Sequence, residues 1–192
     1  MSDKKLKIAE IIGIPVIYLI AVVLHFVYDF TDGSVLSILF GAVNESVWEH
    51  IKIFAVGYIS WAIVELMWLK PSFKKFVVAK TVSLYFLCLA IIVFFYTYNL
   101  FTPQPVLWLD ITSSFVFVVL SQLISYKLIT SEKKIYEYFY IAAALLMMFF
   151  VMFFSFTVYP PKIDLFKDPL TGNYGIVKKY LDTGAFFLDK AQ

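Results

Sequence analysis

The chain has 192 residues, of which 61% are hydrophobic, 20% aromatic and only 16% charged, whereas soluble domains average about 25% charged residues. A formal net charge of +2, with no basic patch apart from the helix flanks, excludes a soluble nucleic-acid-binding protein. A single cysteine, Cys88, excludes a disulfide scaffold. The composition instead predicts a small integral membrane protein.

Five apolar stretches are long enough to cross a bilayer, whose core of about 30 Å needs roughly 20 helical residues. They lie at about residues 8–30, 45–69, 76–98, 107–126 and 135–158. Lysines precede the first stretch, but it is too long for a signal peptide and no small-residue cleavage site follows it. The sequence therefore predicts an all-α integral membrane protein in which residues 1–158 form a bundle of five transmembrane helices.

Lysine placement predicts the orientation of this bundle. Ten lysines fall on the side of the N-terminus, and the two opposite loops, residues 31–44 and 99–106, contain none. Because cytoplasmic loops are enriched in lysine and arginine, the N-terminus is expected inside and the C-terminus outside. Residues 159–192 then form an extracytoplasmic tail, interpreted as a lid, on a multi-pass protein of the cell membrane.

Two apolar segments are not simple spans. Residues 35–43 are too short to cross and are expected to lie in the interface or to turn back as a re-entrant segment. Gly184–Leu188, near the end of the tail, is apolar enough to touch the membrane surface or to cap the bundle. The conformations of residues 35–43 and 176–192 stay open at this point.

Ionisable residues within apolar spans are costly and therefore informative. Glu65 in the second span and Lys80 in the third are expected at similar depth on neighbouring antiparallel helices. A partly buried ion pair, snorkelling of each side chain to the surface, and a proton or ion relay are the three alternatives for this inner layer.

The outer layer is denser in polar residues. His25 and Asp29 are four residues apart and therefore share one helix face, as do Glu45 and Glu49 in the segment that opens the second helix. The chain's only two histidines, His25 and His50, both lie at this predicted boundary. The candidate ligand-binding residues are His25, Tyr28, Asp29, Asn44, Glu45, Trp48 and Lys52.

Imidazoles and carboxylates together are the ligands of a zinc, manganese or iron site. The candidate ligands of a divalent metal are His25, Asp29, Glu49 and His50, and Glu49 and His50 are also the candidate catalytic acid and base. The spacing is not diagnostic of any known metal motif. Helix capping is the alternative, since Ser46 followed three residues later by Glu49 forms a capping-box sequence.

Three sequence motifs carry a resemblance to a known family. They are the string Asn44-Glu45-Ser46-x-Trp48-Glu49-His50-x-Lys52, the upstream pair His25 and Tyr28, and the run from Pro160 to Gly175 that contains Asp-Pro-x-Thr-Gly-x-Tyr-Gly. Together they resemble a family of small bacterial multi-pass membrane proteins of unknown function, in which glutamate is expected where this chain has Asp29. The resemblance implies that the tail motif and the start of the second helix belong to one feature.

Three classes of function remain open. The first is a polar pocket at the outer face that binds a small ligand or a metal ion and acts as a binding protein or a membrane enzyme. The second is a small proton-linked transporter or channel. The third is a structural or accessory membrane protein that docks a protein partner or forms a homo-oligomer. The lipid bilayer is the one partner that all three share.

Overall fold

The computed structural model describes residues 2–177 of the chain, and this part is helical, with no β-strand beyond an isolated bridge between Lys167 and Tyr174. The predicted all-α class is thus confirmed. The α-helices are α1 (Asp3–Phe30), α2 (Val35–Phe40), α3 (Val47–Leu69), α4 (Phe73–Asn99), α5 (Leu107–Thr130) and α6 (Phe139–Val158). Short 3-10 helices span Ile135–Tyr138, just before α6, and Asp164–Phe166.

The described residues contain five helical segments that are long and apolar enough to cross a membrane. They coincide with the five predicted spans, although the first starts earlier, at Asp3, and the fourth runs on to Thr130. Polar residues at these ends extend the helices because a helix does not have to stop where its apolar stretch stops. The segment at residues 35–43 contains the two-turn helix α2, capped by the Ser34 side chain, which accepts a hydrogen bond from the Ser37 amide.

Large apolar side chains are exposed along the five segments. Leu19 is 64% exposed, Met67 71%, Val93 62%, Phe115 45% and Met147 66%. Soluble monomers rarely expose contiguous apolar surface on this scale. The exposed apolar residues are what a lipid environment would cover.

The structure divides into two compact units. The first comprises Met1–Leu19 and Phe54–Phe149. Within it, α4 packs against α5 and against the 3-10 helix that precedes α6. Gly13 of α1 lies so close to Trp61 and Gln122 that an added Cβ atom would overlap both side chains. One cluster of buried apolar side chains in this unit contains Leu6, Ala9, Leu69, Phe76, Val78, Ala79, Ile129, Ile135 and Ala142.

The second unit comprises Ile20–Ile53 and, of the described residues, 150–177. Its core is aromatic: the ring of Trp48 stacks on Phe153 with centroids 4.5 Å apart and contacts Phe166 at 4.7 Å. Gly41 brings the end of α2 against α1, where the Ala42 amide donates a hydrogen bond to the Leu24 carbonyl at 3.1 Å. The predicted contact of Gly184–Leu188 with the membrane or the bundle lies outside the described residues.

Candidate functional site

The start of α3 is shaped by two polar side chains. The Ser46 amide donates to Asn44 Oδ1 at 2.8 Å, and the Glu49 amide donates to the Ser46 hydroxyl at 3.4 Å. These bonds satisfy amides that would otherwise be left unpaired at a helix start. The predicted capping box is therefore only half formed, because the Glu49 carboxylate accepts from the Val43 amide at 3.1 Å instead of the Ser46 amide.

His25, Glu45 and His50, hereafter the histidine cluster, bring three donor groups together. His25 Nε2 lies 3.7 Å from Glu45 Oε1, and His50 Nε2 lies 3.5 Å from Glu45 Oε2. One ligand atom from each residue lies within 4.8 Å of the other two. The side chains are partly accessible, with 23%, 31% and 38% of the side-chain surface of His25, Glu45 and His50 exposed. A small solute can therefore reach the cluster.

The hydrogen bond of the His50 ring fixes which nitrogen faces Glu45. His50 Nδ1 lies 2.9 Å from the backbone carbonyl oxygen of Ser46. A carbonyl oxygen only accepts, so Nδ1 carries a hydrogen and donates it. In the neutral imidazole, Nε2 then presents its lone pair to the Glu45 carboxylate. A backbone carbonyl bonded to the second ring nitrogen is also the usual arrangement around a metal-binding histidine.

Glu49 and Lys52 form a buried ion pair in the same unit. Lys52 Nζ lies 2.6 Å from Glu49 Oε2, and the side chains of Lys52 and Glu49 are 0% and 2% exposed. The ammonium also donates to the Ile38 carbonyl at 3.1 Å and to the Thr157 hydroxyl at 3.0 Å. All three donors of Lys52 are thus used, and the pair ties α2, α3 and α6 together.

The segment after α6 packs on the start of α3. Asn44 Nδ2 donates to the Gly175 carbonyl at 2.7 Å. The Tyr28 hydroxyl donates to the Val177 carbonyl at 3.0 Å, and the Val177 amide donates to the Val43 carbonyl at 3.4 Å. Asp168 is fully buried and organises the turn at residues 168–171, where its carboxylate accepts hydrogen bonds from the Thr171 hydroxyl and amide.

The structure distributes the predicted site residues over three roles. Of the four predicted metal ligands, it brings His25 and His50 together, with Glu45 as their third donor. Within residues 2–177, this group of neighbouring donors does not include Asp29 or Glu49, and the Glu49 carboxylate is bound by Lys52 and Val43. Tyr28 and Asn44 hold the tail segment, and Trp48 is a core residue with 6% exposure.

A second buried polar group lies in the first unit. Lys80 forms ion pairs with Glu65 and with Glu10, whose Oε2 lies 3.0 Å from the ammonium. The predicted proximity of Glu65 and Lys80 is thus present in the structure. Sequence analysis missed Glu10, and the signal that could have found it is a lone carboxylate inside the apolar stretch predicted at residues 8–30.

The comparisons with known proteins place the chain within one family. The model of a family described as a family of unknown function, DUF6512, matches residues 1–176. No curated protein and no solved structure matches the chain.

Proposed function

The chain belongs to DUF6512, a family whose function is unknown, and we propose that it is a multi-pass membrane protein that binds a divalent transition-metal ion at the histidine cluster. The ligands are His25 Nε2, His50 Nε2 and a Glu45 carboxylate oxygen. Imidazole and carboxylate together suit zinc and its first-row neighbours better than calcium or magnesium.

The spacing of the donor atoms supports this proposal. Zinc binds histidine nitrogen and carboxylate oxygen at about 2.0–2.2 Å, so neighbouring ligand atoms of a tetrahedral site lie roughly 3.3–3.5 Å apart. The two nitrogen–oxygen distances of the histidine cluster are 3.7 and 3.5 Å. The two distances end on different oxygens of Glu45, and one ligand atom from each residue lies within 4.8 Å of the other two, so side-chain rotations that shorten the longest of these separations would bring all three donors onto one ion.

The observation that carries the proposal is the lone pair of His50 Nε2 facing the Glu45 carboxylate. Two acceptors at 3.5 Å repel each other unless a positive charge lies between them or on one of them. A metal ion provides that charge while His50 stays neutral. The alternative is a protonated His50 in a plain ion pair with Glu45, and the experiment below separates the two.

Three protein ligands leave a fourth coordination position open. Structural zinc sites close all four positions with protein ligands, whereas sites with two histidines and one glutamate keep a position for water or a bound ligand. Partial exposure of the cluster fits an open position.

The exposed apolar surface of the five long helices supports placement of the bundle in the cell membrane. We infer from the lysine distribution that the N-terminus is cytoplasmic and the segment after α6 extracytoplasmic. Trypsin added outside sealed spheroplasts should cleave at Lys162 and Lys167. Cleavage there only after the cells are lysed would contradict this orientation.

The test of the metal site is the metal content of the protein, purified in detergent with an affinity tag that contains no histidine. The protein is incubated with zinc, freed of excess metal by gel filtration and analysed by elemental mass spectrometry, and manganese and iron are tried in parallel. We expect close to one metal ion per chain for the wild type and loss of that metal in His25→Ala/His50→Ala.

A matched pair of variants separates coordination from bulk charge. Glu45→Gln should lower the metal content, whereas Glu132→Gln makes the same atomic change at an exposed loop residue and should not. Zinc at a hundred times its dissociation constant should also stabilise the wild type by about 2.7 kcal/mol. A wild type that retains no metal, or a double variant that retains as much as the wild type, would leave the protonated ion pair as the correct account.

A further inference from the structure

The second polar group of the protein consists of Glu10 of α1, Glu65 of α3 and Lys80 of α4, hereafter the lysine cluster. The three residues are buried, with 3%, 0% and 6% of their surface exposed. They lie seven, four and seven residues from the ends of their helices, which is roughly 6–10 Å at about 1.5 Å per residue. They are therefore inside the helices that are long and apolar enough to cross a membrane, where ionised groups are expensive.

Lys80 uses all of its donors on the two carboxylates. Its ammonium donates to both Glu10 oxygens at 3.0 Å and contacts Glu65 Oε2. The rings of Tyr58 and Phe76 cover the ammonium, with their centroids at 5.4 and 5.5 Å. The nearby aromatic faces and the two carboxylates leave the charge of Lys80 fully compensated.

Glu10 is the more extensively hydrogen-bonded of the two carboxyl groups. Besides the two bonds from Lys80, its Oε1 accepts a hydrogen bond from the Ser125 hydroxyl at 2.6 Å. Gln122 Nε2 donates to the Glu10 carbonyl at 3.1 Å, which fixes the backbone at this position. Three hydrogen bonds to one carboxylate favour its charged form.

The charges of the cluster do not balance if both carboxyl groups are ionised. Its titratable groups are Glu10, Glu65, Lys80 and the neutral phenol of Tyr58, and Lys80 is the only cation that pairs with either carboxylate in the part of the chain that the structure describes. Two carboxylates and one ammonium would leave a net charge of −1 in a buried site. An uncompensated buried charge is strongly unfavourable, and a carboxylate in that position usually becomes neutral by taking up a proton.

We propose that the lysine cluster is a proton-binding site and that Glu65 holds the proton. Glu65 contacts Lys80 through Oε2, and Trp61 is the other hydrogen-bonding neighbour of its carboxyl group. With two such neighbours, against three hydrogen bonds at Glu10, Glu65 is the carboxyl group that takes up the hydrogen. The proton comes from water, and with Lys80 charged, Glu10 ionised and Glu65 neutral the cluster has no net charge. The lysine cluster shares no residue with the histidine cluster. Its ligand is a proton, which a proton-linked membrane protein has to bind and release inside its bundle of helices.

The test is infrared spectroscopy of the purified protein near neutral pH, in which a protonated carboxyl group gives a C=O stretching band that shifts in heavy water. The wild-type spectrum minus the Glu65→Gln spectrum should contain the band of one protonated carboxyl per chain. The same band should be lost in Glu10→Gln, because Glu65 then becomes the sole partner of Lys80 and ionises. Glu132→Gln, at an exposed loop residue, should keep it.

A third variant tests the charge count itself. Lys80→Met removes the cation, so both carboxyl groups should be neutral and the band should double relative to wild type. If Lys80→Met does not fold, Glu10→Gln decides the matter on its own. All spectra are recorded in choline and in sodium buffers, and the band is expected in both.

Three results would overturn the proposal. They are the absence of the band from the wild type, its persistence in both Glu65→Gln and Glu10→Gln, and its disappearance in sodium buffer alone. The last result would identify the cluster as a sodium site rather than a proton site.

Discussion

Replacement of Lys52 by methionine is the sharpest test of the role of Glu49. Lys52→Met keeps most of the side-chain volume but removes the ammonium that pairs with Glu49 at 2.6 Å. The Glu49 carboxylate, 2% exposed, would then keep only the hydrogen bond from the Val43 amide. We therefore expect the folded protein to lose stability through an unpaired buried charge.

The expected loss is about 3–5 kcal/mol, the usual cost of removing one partner of a buried ion pair. Even the lower figure corresponds to a more than hundredfold change in the unfolding equilibrium, since about 1.4 kcal/mol is tenfold. Two further acceptors, the Ile38 carbonyl and the Thr157 hydroxyl, also lose their donor. The loss should therefore not be smaller than this range.

Equilibrium unfolding of the detergent-solubilised protein by added SDS measures the effect. Lys133→Met makes the same change at an exposed lysine and should stay within about 0.5 kcal/mol of wild type. The double variant Glu49→Gln/Lys52→Met leaves no uncompensated charge and should lose less than Lys52→Met alone.

An outcome in which Lys52→Met is as stable as Lys133→Met would refute the buried pair. If Glu49→Gln were then also found to lower the metal content as Glu45→Gln does, Glu49 would be a metal ligand, as the sequence first suggested. Metal content unchanged by Glu49→Gln, together with a large loss of stability, would instead assign Glu49 to holding the fold.

Two further predictions concern side-chain packing, and a third concerns the hydrogen bond that holds the segment after α6. Trp48→Ala should destabilise the protein by about 3–5 kcal/mol because the ring is buried among aromatic side chains, whereas Trp68→Ala, at a 52% exposed position, should change thermal unfolding far less. Gly13→Ala should cost about 1–3 kcal/mol in the same assay, because its Cβ would overlap two neighbouring side chains. Asn44→Ala removes the hydrogen bond to the Gly175 carbonyl and should therefore speed trypsin cleavage after Lys167, followed by gel electrophoresis; an unchanged rate would show that this bond does not hold the segment.

The helices could be predicted from the sequence because each apolar stretch is long and is bounded by polar residues or prolines. The boundaries were less accurate: α1 begins at Asp3 and not at residue 8, since backbone hydrogen bonding continues through the lysine-rich turn before the apolar stretch. Residues 35–43 gave no such signal, because a short apolar segment fits a helix, an interfacial segment and a turn equally well.

The lysine cluster was only half predictable. Glu65 and Lys80 could be paired because α3 and α4 are consecutive, so a short connection sets their helices antiparallel and their depths follow from counting residues. Glu10 lies in α1, 70 residues from Lys80 in the sequence. Ser125 lies in α5, 115 residues from Glu10, and the sequence does not reveal which helices α5 packs against. Contacts of that kind depend on the packing order of the helices, which residue spacing does not contain.

The histidine cluster shows the same limit at shorter range. Glu45 and Glu49 are one turn apart in sequence, and either could have faced the two histidines. Glu45 lies in the turn before α3, where it reaches both His25 and His50, while Glu49 lies within α3, three residues from Lys52. Lys52 is buried with three acceptors, of which Glu49 is the one that carries a negative charge. If Glu49 turned to the histidines, the buried ammonium would lose its counter-charge. Glu45 is therefore the carboxylate that pairs with the histidines. The choice between two chemically identical groups is thus made by the burial of a neighbouring lysine, and a metal assay on Glu45→Gln and Glu49→Gln reads that choice directly.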